Sequence, residues 1–440
     1  MKIKLQYLKI LIAIFCIANS FNARSQTFYK QIGNPQLNEG GQVIIPTNDG
    51  NYLVGGYKED SALIIKINPQ GSIIWSTTFK PSTGSNVYYL SYTPDGNIIG
   101  CGNATNSSAK KTGFYFKLDL NGNLQWLKVL NDTRNIYCQR IESKVNTEYL
   151  LFCNVTDLGS ASSTDPILLR VNSSNGNIVA TTPRYNFYSP ISYIDEIYST
   201  VKGNGNFYYA TGRSYFQGNA AQGMRPTLTK FNNLGSIQFS KYLVYSITAN
   251  ARIYGIDINY TNDSLVIGYF GDKITGTSTN YTVGLIKTDT AANVIWSKDY
   301  DITSSTNEYS YKALATNYGY AIVGYMPGVI NKNFFIIAVN KSGNLKWAKS
   351  YGTSAVEDIL NTTTPIACSD GSAIVFTGRT TTSNGKMDLV IVKVDSLGNT
   401  NCNTGVSLSI NVTTNPTNSN SCTLSTATDN LVFTTVNNSN

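Results

Sequence analysis

The chain has 440 residues, of which 34 are Lys or Arg and 26 Asp or Glu, and none is histidine. That absence excludes His-based triads, His metal sites and the side chain that ordinarily serves as general base near neutral pH. The formal charge of +8 is spread out, with no basic run beyond Lys110-Lys111, so the clustered footprint of a nucleic-acid binder is missing.

The first 25 residues read as a signal peptide. Lys2, Lys4 and Lys9 precede an apolar run over residues 10–18, too short to span a bilayer. Ala23-Arg24-Ser25 sets small residues around a cleavage point before Gln26. Phe15 is too large to precede a lipoprotein cysteine, so Cys16 belongs to the leader. Cleavage removes three Lys and one Arg and lowers the charge to +4. No other apolar run is long enough for a membrane span, so the expected product is exported, either secreted or at the cell surface.

From there the chain repeats. One unit runs Asp-Gly-Asn-Tyr-Leu-Val-Gly-Gly (residues 49–56), then Ala-Leu-Ile-Ile-Lys-Ile-Asn (62–68), then a turn ending at Gly71 and Ile-Ile-Trp (73–75). The second unit carries Asp95-Gly96-Asn97, Lys117, Asp119, Asn121-Gly122-Asn123 and Trp126. The hairpin glycine recurs at Gly122, Gly176, Gly235, Gly343 and Gly398, with Ala292 in its place once, at spacings of 51, 54, 59, 57, 51 and 55 residues. Seven copies at that period predict an all-β, seven-bladed β-propeller of four-stranded blades. In the first blade the β-branched and aromatic runs predict strands over residues 42–46, 52–56, 62–67 and 73–78.

The large residue four places after each hairpin glycine is Trp75, Trp126, Phe239, Trp296 or Trp347, but Ala180 in the third unit. The last unit has Cys402 there and no strand-like sequence after it. Residues 28–33 match residues 347–352, so the N-terminal strand is expected to close the last blade and remove open edges. The propeller then spans residues 26–402. Residues 403–440 contain 24 Ser, Thr or Asn and read as a linker or the start of a further module. Among the six remaining cysteines none has zinc-site spacing. Cys101, Cys153 and Cys368 read as buried strand residues, and Cys402 and Cys422, flanking a polar loop, are the pair most readily bridged.

The series Asp-Gly-x-Tyr…Gly, Lys-x-Asp, Gly-Asn-x-x-Trp resembles secreted propeller-repeat proteins of the Bacteroidetes, over about residues 27–402. Lys66, Lys117, Arg170, Lys230, Lys287 and Lys393 carry its basic position, with Ala338 departing. The resemblance implies the propeller fold. For function it implies a group that holds adhesins, enzymes and surface proteins. It also implies type IX secretion, carried in that family by a C-terminal sorting domain; none is read in residues 403–440. Asp60-Ser61-Ala62, Asp263-Ser264-Leu265, Asp289-Thr290-Ala291 and Asp395-Ser396-Leu397 look like the short O-glycosylation signal of that phylum.

Periodic chemistry reads as structure. Asp49, Asp95, Asp119, Asp289, Asp370 and Asp395 stand in repeat turns, and Asp119-x-Asn121-x-Asn123 lacks the glycine position and closing Glu of a calcium loop. The four Trp read as interblade packing and the Lys/Arg series as structural pairing. No catalytic residue, metal or cofactor is assigned. The non-periodic features are two long loops, residues 213–226 and 269–281, on the face opposite the tight turns. They carry Tyr215, Phe216, Met224 and Arg225, and Tyr269, Phe270, Asp272 and Lys273, with Tyr185, Phe187 and Tyr188 beside them. Aromatic residues next to Arg on variable loops fit a ligand surface. The expectation is a non-enzymatic binding or adhesion scaffold for a glycan or protein at the cell surface. The alternatives are a carbohydrate-active hydrolase or lyase, and a structural spacer for a C-terminal module.

Overall fold

Each of the first six repeats folds around a four-stranded antiparallel meander, and the N-terminal strand completes the seventh. In the first blade the strands are Glu39–Pro46, Tyr52–Lys58, Ser61–Ile67 and Ile73–Phe79, each paired with the next. They contain the expected strands and run one to three residues further at some ends. The computed structural model describes residues 27–437 except 146, 158–162, 188–193, 216–222, 246–251, 273–280, 303–306, 328–331, 353–354, 359–364, 369–372, 382–384, 401–404, 415–416, 422–424 and 428–433. Cys402, Cys422 and Asp370 therefore lie outside the described residues. So does the leader. No helix among the described residues is long and apolar enough to cross a membrane.

Turn chemistry sets the hairpins. The Asp119 carboxylate accepts the backbone N–H of Asn121 and Asn123, and Asp289 and Asp395 repeat the geometry. The basic series pairs in place: Lys66 with Asp49 at 2.7 Å, Lys117 with Asp95 at 2.8 Å, and Arg170 with Glu148 at 2.7 Å.

Directly across the outer hairpin from this basic position sits the ring residue. The register pairs Lys66 with Trp75, Lys117 with Trp126, Lys230 with Phe239, Lys287 with Trp296 and Ala338 with Trp347. Each Trp lies over the hairpin glycine of the next blade. A methyl on Gly122 would come 2.8 Å from Trp75, and one on Gly398 would come 2.6 Å from Trp347. Both glycines also hold positive φ, so the ring contact and the backbone together favour glycine there.

The ring closes as expected. Phe28–Ile32 pairs antiparallel with Met387–Val394, and Phe28 takes the ring position opposite Lys393. Among the described residues seven apolar clusters fill the seven interfaces between blades. The one between the last and first blades joins Phe28, Val375 and Ile391 to Ile44, Val54 and Leu63.

Described pieces of the C-terminal segment, expected as linker or new module, pair along the rim. Val406–Ser407 pairs with the outer strand of the sixth blade and Ile410–Thr414 with that of the fifth. Thr417–Ser421 pairs with the outer strand of the fourth blade and Thr434–Asn437 with that of the second, while Ser425–Ala427 pairs with Arg184–Asn186 after the third.

Candidate functional site

A meander of four strands puts the second-to-third loop and the blade-to-blade connection at one end of every blade. At that end an arc of half-buried rings and charges runs from the fourth blade round to the first. The Arg213 guanidinium lies 5.7 Å from the Tyr198 ring and 4.8 Å from the Tyr254 ring, and its Nε donates to Glu196 at 2.5 Å. Tyr254 meets Phe270 at 5.0 Å. Phe270 meets Tyr281 at 6.0 Å and Tyr309 at 5.9 Å, and Tyr309 stacks on Tyr325 at 5.0 Å. Lys332 lies over Tyr325 at 4.6 Å and 3.8 Å from Asp358, which accepts from Arg379 at 2.8 Å. Arg379 then donates to the Tyr57 hydroxyl at 3.2 Å.

Electrostatics lock this arc. Burial first, and the Glu196 charge second, push the Tyr198 hydroxyl well above its ordinary range, so it stays a donor to Glu196. Burial works against charge on Arg213, but Tyr198 and Glu196 hold it more firmly protonated than usual. Rings standing beside fixed ion pairs offer apolar faces and directional hydrogen bonds together, which is what a polar ring ligand or a protein loop requires.

The loop residues expected to bind are divided by their strands. Strands Phe207–Tyr215, Met224–Asn232, Ser264–Asp272 and Tyr281–Asp289 extend into the expected loops, so alternation sends every second side chain inward. Phe270 joins the arc, whereas Tyr269 is 1% exposed and donates to the Lys298 carbonyl at 3.2 Å and to Asp299. Arg225, 3% exposed, donates to the Met224 carbonyl at 3.0 Å, and burial lowers its proton affinity. Tyr215 is half-buried, its carbonyl accepting the Tyr242 hydroxyl at 3.1 Å. Asp272 accepts the Arg252 backbone N–H at 2.8 Å. Met224, Tyr185 and Phe187 are buried. Phe216, Lys273 and Tyr188 lie outside the described residues.

Sequence reasoning missed Tyr198, Tyr254, Tyr309 and Tyr325, which stand on strands and look like core. The available signal was that Tyr254 and Tyr309 occupy matching places, two residues before the bulge of their inner strands. It also missed the charges on the ring axis. Arg140, Ser199, Asp257 and Lys312 each follow the inner-strand bulge of their blade. Arg140 donates to Ser199 at 3.0 Å and Ser199 to Asp257 at 2.6 Å. The Asp257 carboxylate lies 3.7 Å from Arg140 and 3.8 Å from Lys312. The Arg140–Asp257 contact skips the fourth blade, so it is made across the axis. Burial, then the Arg140 charge, push Lys312 down to about 7 against the pull of Asp257.

No family model and no curated protein sequence matches the chain. Among solved structures it is similar to a virginiamycin B lyase from Staphylococcus aureus, 14% identical with a TM-score of 0.45, covering 83% of this chain and 99% of that one. It is also similar to Drosophila Plexin A in complex with Semaphorin 1b, 10% identical with a TM-score of 0.41, over 84% and 88% of the two chains. The α-L-arabinofuranosidase Arb93A from Fusarium graminearum, with an iminosugar inhibitor, is 9% identical with a TM-score of 0.42, over 84% and 97%. Likenesses this distant say nothing of activity.

Proposed function

We propose that the protein is an exported binding propeller that takes a glycan on the arc between the fourth and first blades. The observation that carries this is the set of touching, half-buried rings Tyr254, Phe270, Tyr281 and Tyr309, bordered by the Arg213–Glu196 and Arg379–Asp358 pairs. Ring faces pack against the C–H faces of sugars, and the charged pairs satisfy hydroxyls. Export at the cell surface rests on the leader and belongs to the same proposal.

The test is a glycan array on the mature protein, with Phe270→Ala and Tyr281→Ala variants. Affinity for the glycan found should drop at least tenfold while the melting temperature stays within a few degrees. Unchanged affinity removes the arc as the site, and capture of a protein but no glycan replaces the ligand class.

A hydrolase or lyase is the second reading, favoured by one observation. Burial, with Asp165 and Glu196 nearby, pushes Asp195 up to about 7, the range of a general acid. Release of reducing ends from the array-positive glycan, abolished by Asp195→Asn, would favour it.

A further inference from the structure

The ring position is filled in six blades, by Trp75, Trp126, Phe239, Trp296 and Phe28 opposite a basic residue and by Trp347 opposite Ala338. In the third blade the register pairs Arg170 with Ala180. A methyl group on the facing glycine of the fourth blade, Gly235, would meet Thr182 and Leu168 at 2.7 and 2.8 Å rather than a ring. The space left over is a cavity of about 540 Å³, lined by Ala180, Thr182, Leu234, Gly235 and Ile237, with Arg170 at its edge.

The rest of the cradle is intact. The Tyr185 hydroxyl donates to the Gly235 carbonyl, as Tyr115, Tyr300 and Tyr351 donate to Gly176, Gly343 and Gly398 at 2.8 Å beside a Trp or its equivalent. Gly235 keeps the positive φ of its counterparts. Leu234 stands half exposed at the rim of the cavity, which gives an incoming ring an apolar edge. The indole of Trp347 donates from Nε1 to the carbonyl of Ser396 at 2.8 Å, two residues before the hairpin glycine. The corresponding residue in the fourth blade is Asn233.

We infer that this cavity is a binding site for an aromatic side chain, best an indole, presented by a polypeptide partner. The chain itself shows what the place accepts: five rings lie over the neighbouring hairpin glycine, and in the third blade Ala180 leaves the ring position open while Thr182 and Leu168 cover Gly235. An indole entering there packs on Leu234 and Ile237 beside Thr182 and turns its N–H toward the Asn233 carbonyl. The site lies at the tight-turn end of the blades, away from the glycan arc, and does not depend on it.

The full chain should be titrated with N-acetyl-L-tryptophanamide by calorimetry and saturation-transfer NMR. Saturable binding of one equivalent is expected. N-acetyl-L-cyclohexylalaninamide, which has bulk but no flat ring or N–H, should bind at least tenfold more weakly. Ala180→Trp should abolish binding and raise the melting temperature, because the protein then supplies its own ring. Ala180→Leu should weaken binding at least tenfold and keeps the test open if the Trp variant folds poorly. Phe270→Ala should bind the probe normally. Absence of saturable binding, equal binding of the two probes, or wild-type affinity in both Ala180 variants would overturn the assignment.

Discussion

Asp195 begins the fourth inner strand, 1% exposed, with its carboxylate accepting the Phe187 N–H at 2.9 Å. Burial is the main reason it protonates up to about 7, with Asp165 and Glu196 adding and the Ser214 and Phe187 hydrogen bonds opposing. In the unfolded chain an Asp titrates near about 3.9, so between those values the folded state binds more protons and stability falls as pH rises. Lys312 is 2% exposed among Arg140 and Asp257 and releases its proton near 7, against about 10.4 unfolded. Above pH 7 the unfolded chain binds more protons, so this residue makes stability rise with pH. The two together predict a stability minimum near neutrality. Urea midpoints measured from pH 4 to 10 should show it. Asp195→Asn, which keeps the acceptor for Phe187, should flatten the acid limb, and Lys312→Met the alkaline limb. A wild-type slope on the acid side in Asp195→Asn would assign that limb to another group.

At the scale of the strand, the rim segment is held differently from the blades. Its register from Ile302↔Ile410 to Lys298↔Thr414 adds backbone hydrogen bonds, while Val406 and Val412 stay largely exposed. Among its described side chains, Leu408 and Ile410 pack partly against the core between the fifth and sixth blades. Each hydrogen bond nets about 1 kcal/mol, and ordering each residue costs about as much, so residues 406–414 are marginally bound and depend on Leu408 and Ile410. Leu408→Ser with Ile410→Ser should therefore speed amide exchange in Val294–Ile302 without moving the main melting transition. Protection unchanged in that strand would refute the anchoring. This strand-scale contrast also explains what could be read beforehand. The blades were legible because hairpin glycines, basic positions and rings recur with a fixed period, and the match of residues 28–33 to 347–352 revealed the closure. The rim strands were not, since an exposed fifth strand needs no apolar alternation and Ser, Thr and Asn are read as linker. The aromatic arc was half legible: Phe270 lies in it, but Tyr269 and Arg225 were expected beside it because the strands were thought to stop sooner. Ala180 was visible as a gap in the Trp series, yet only the register across from Arg170 shows that the gap is a cavity.

The whole molecule is a ring of seven interfaces, and a ring is only as stable as its closing contact. Six interfaces join blades that follow one another in sequence, so their contacts form over short loops. The seventh sets Val375 and Ile391 of the last blade against Ile44 and Val54 of the first, more than 300 positions apart, and is sealed by the pairing of Phe28–Ile32 with Met387–Val394 inside the last blade, so it carries the largest loop-closure cost. Phe28 is 7% exposed there and covers Gly71 of the first blade, as the tryptophans cover theirs. Deleting residues 26–33 removes five paired residues and a buried aromatic worth about 3–5 kcal/mol by itself, against a total stability of about 5–15 kcal/mol. It also bares the edge of Met387–Val394, where another chain can add a strand. The deletion should lower the melting temperature by well over ten degrees or leave the protein aggregated, measured by calorimetry and light scattering. Phe28→Ala should reproduce a large part of the loss, whereas removing residues 405–440 should leave the main transition nearly in place. A closing-strand deletion that melts with the parent would mean that the seventh blade is completed by something other than residues 28–32.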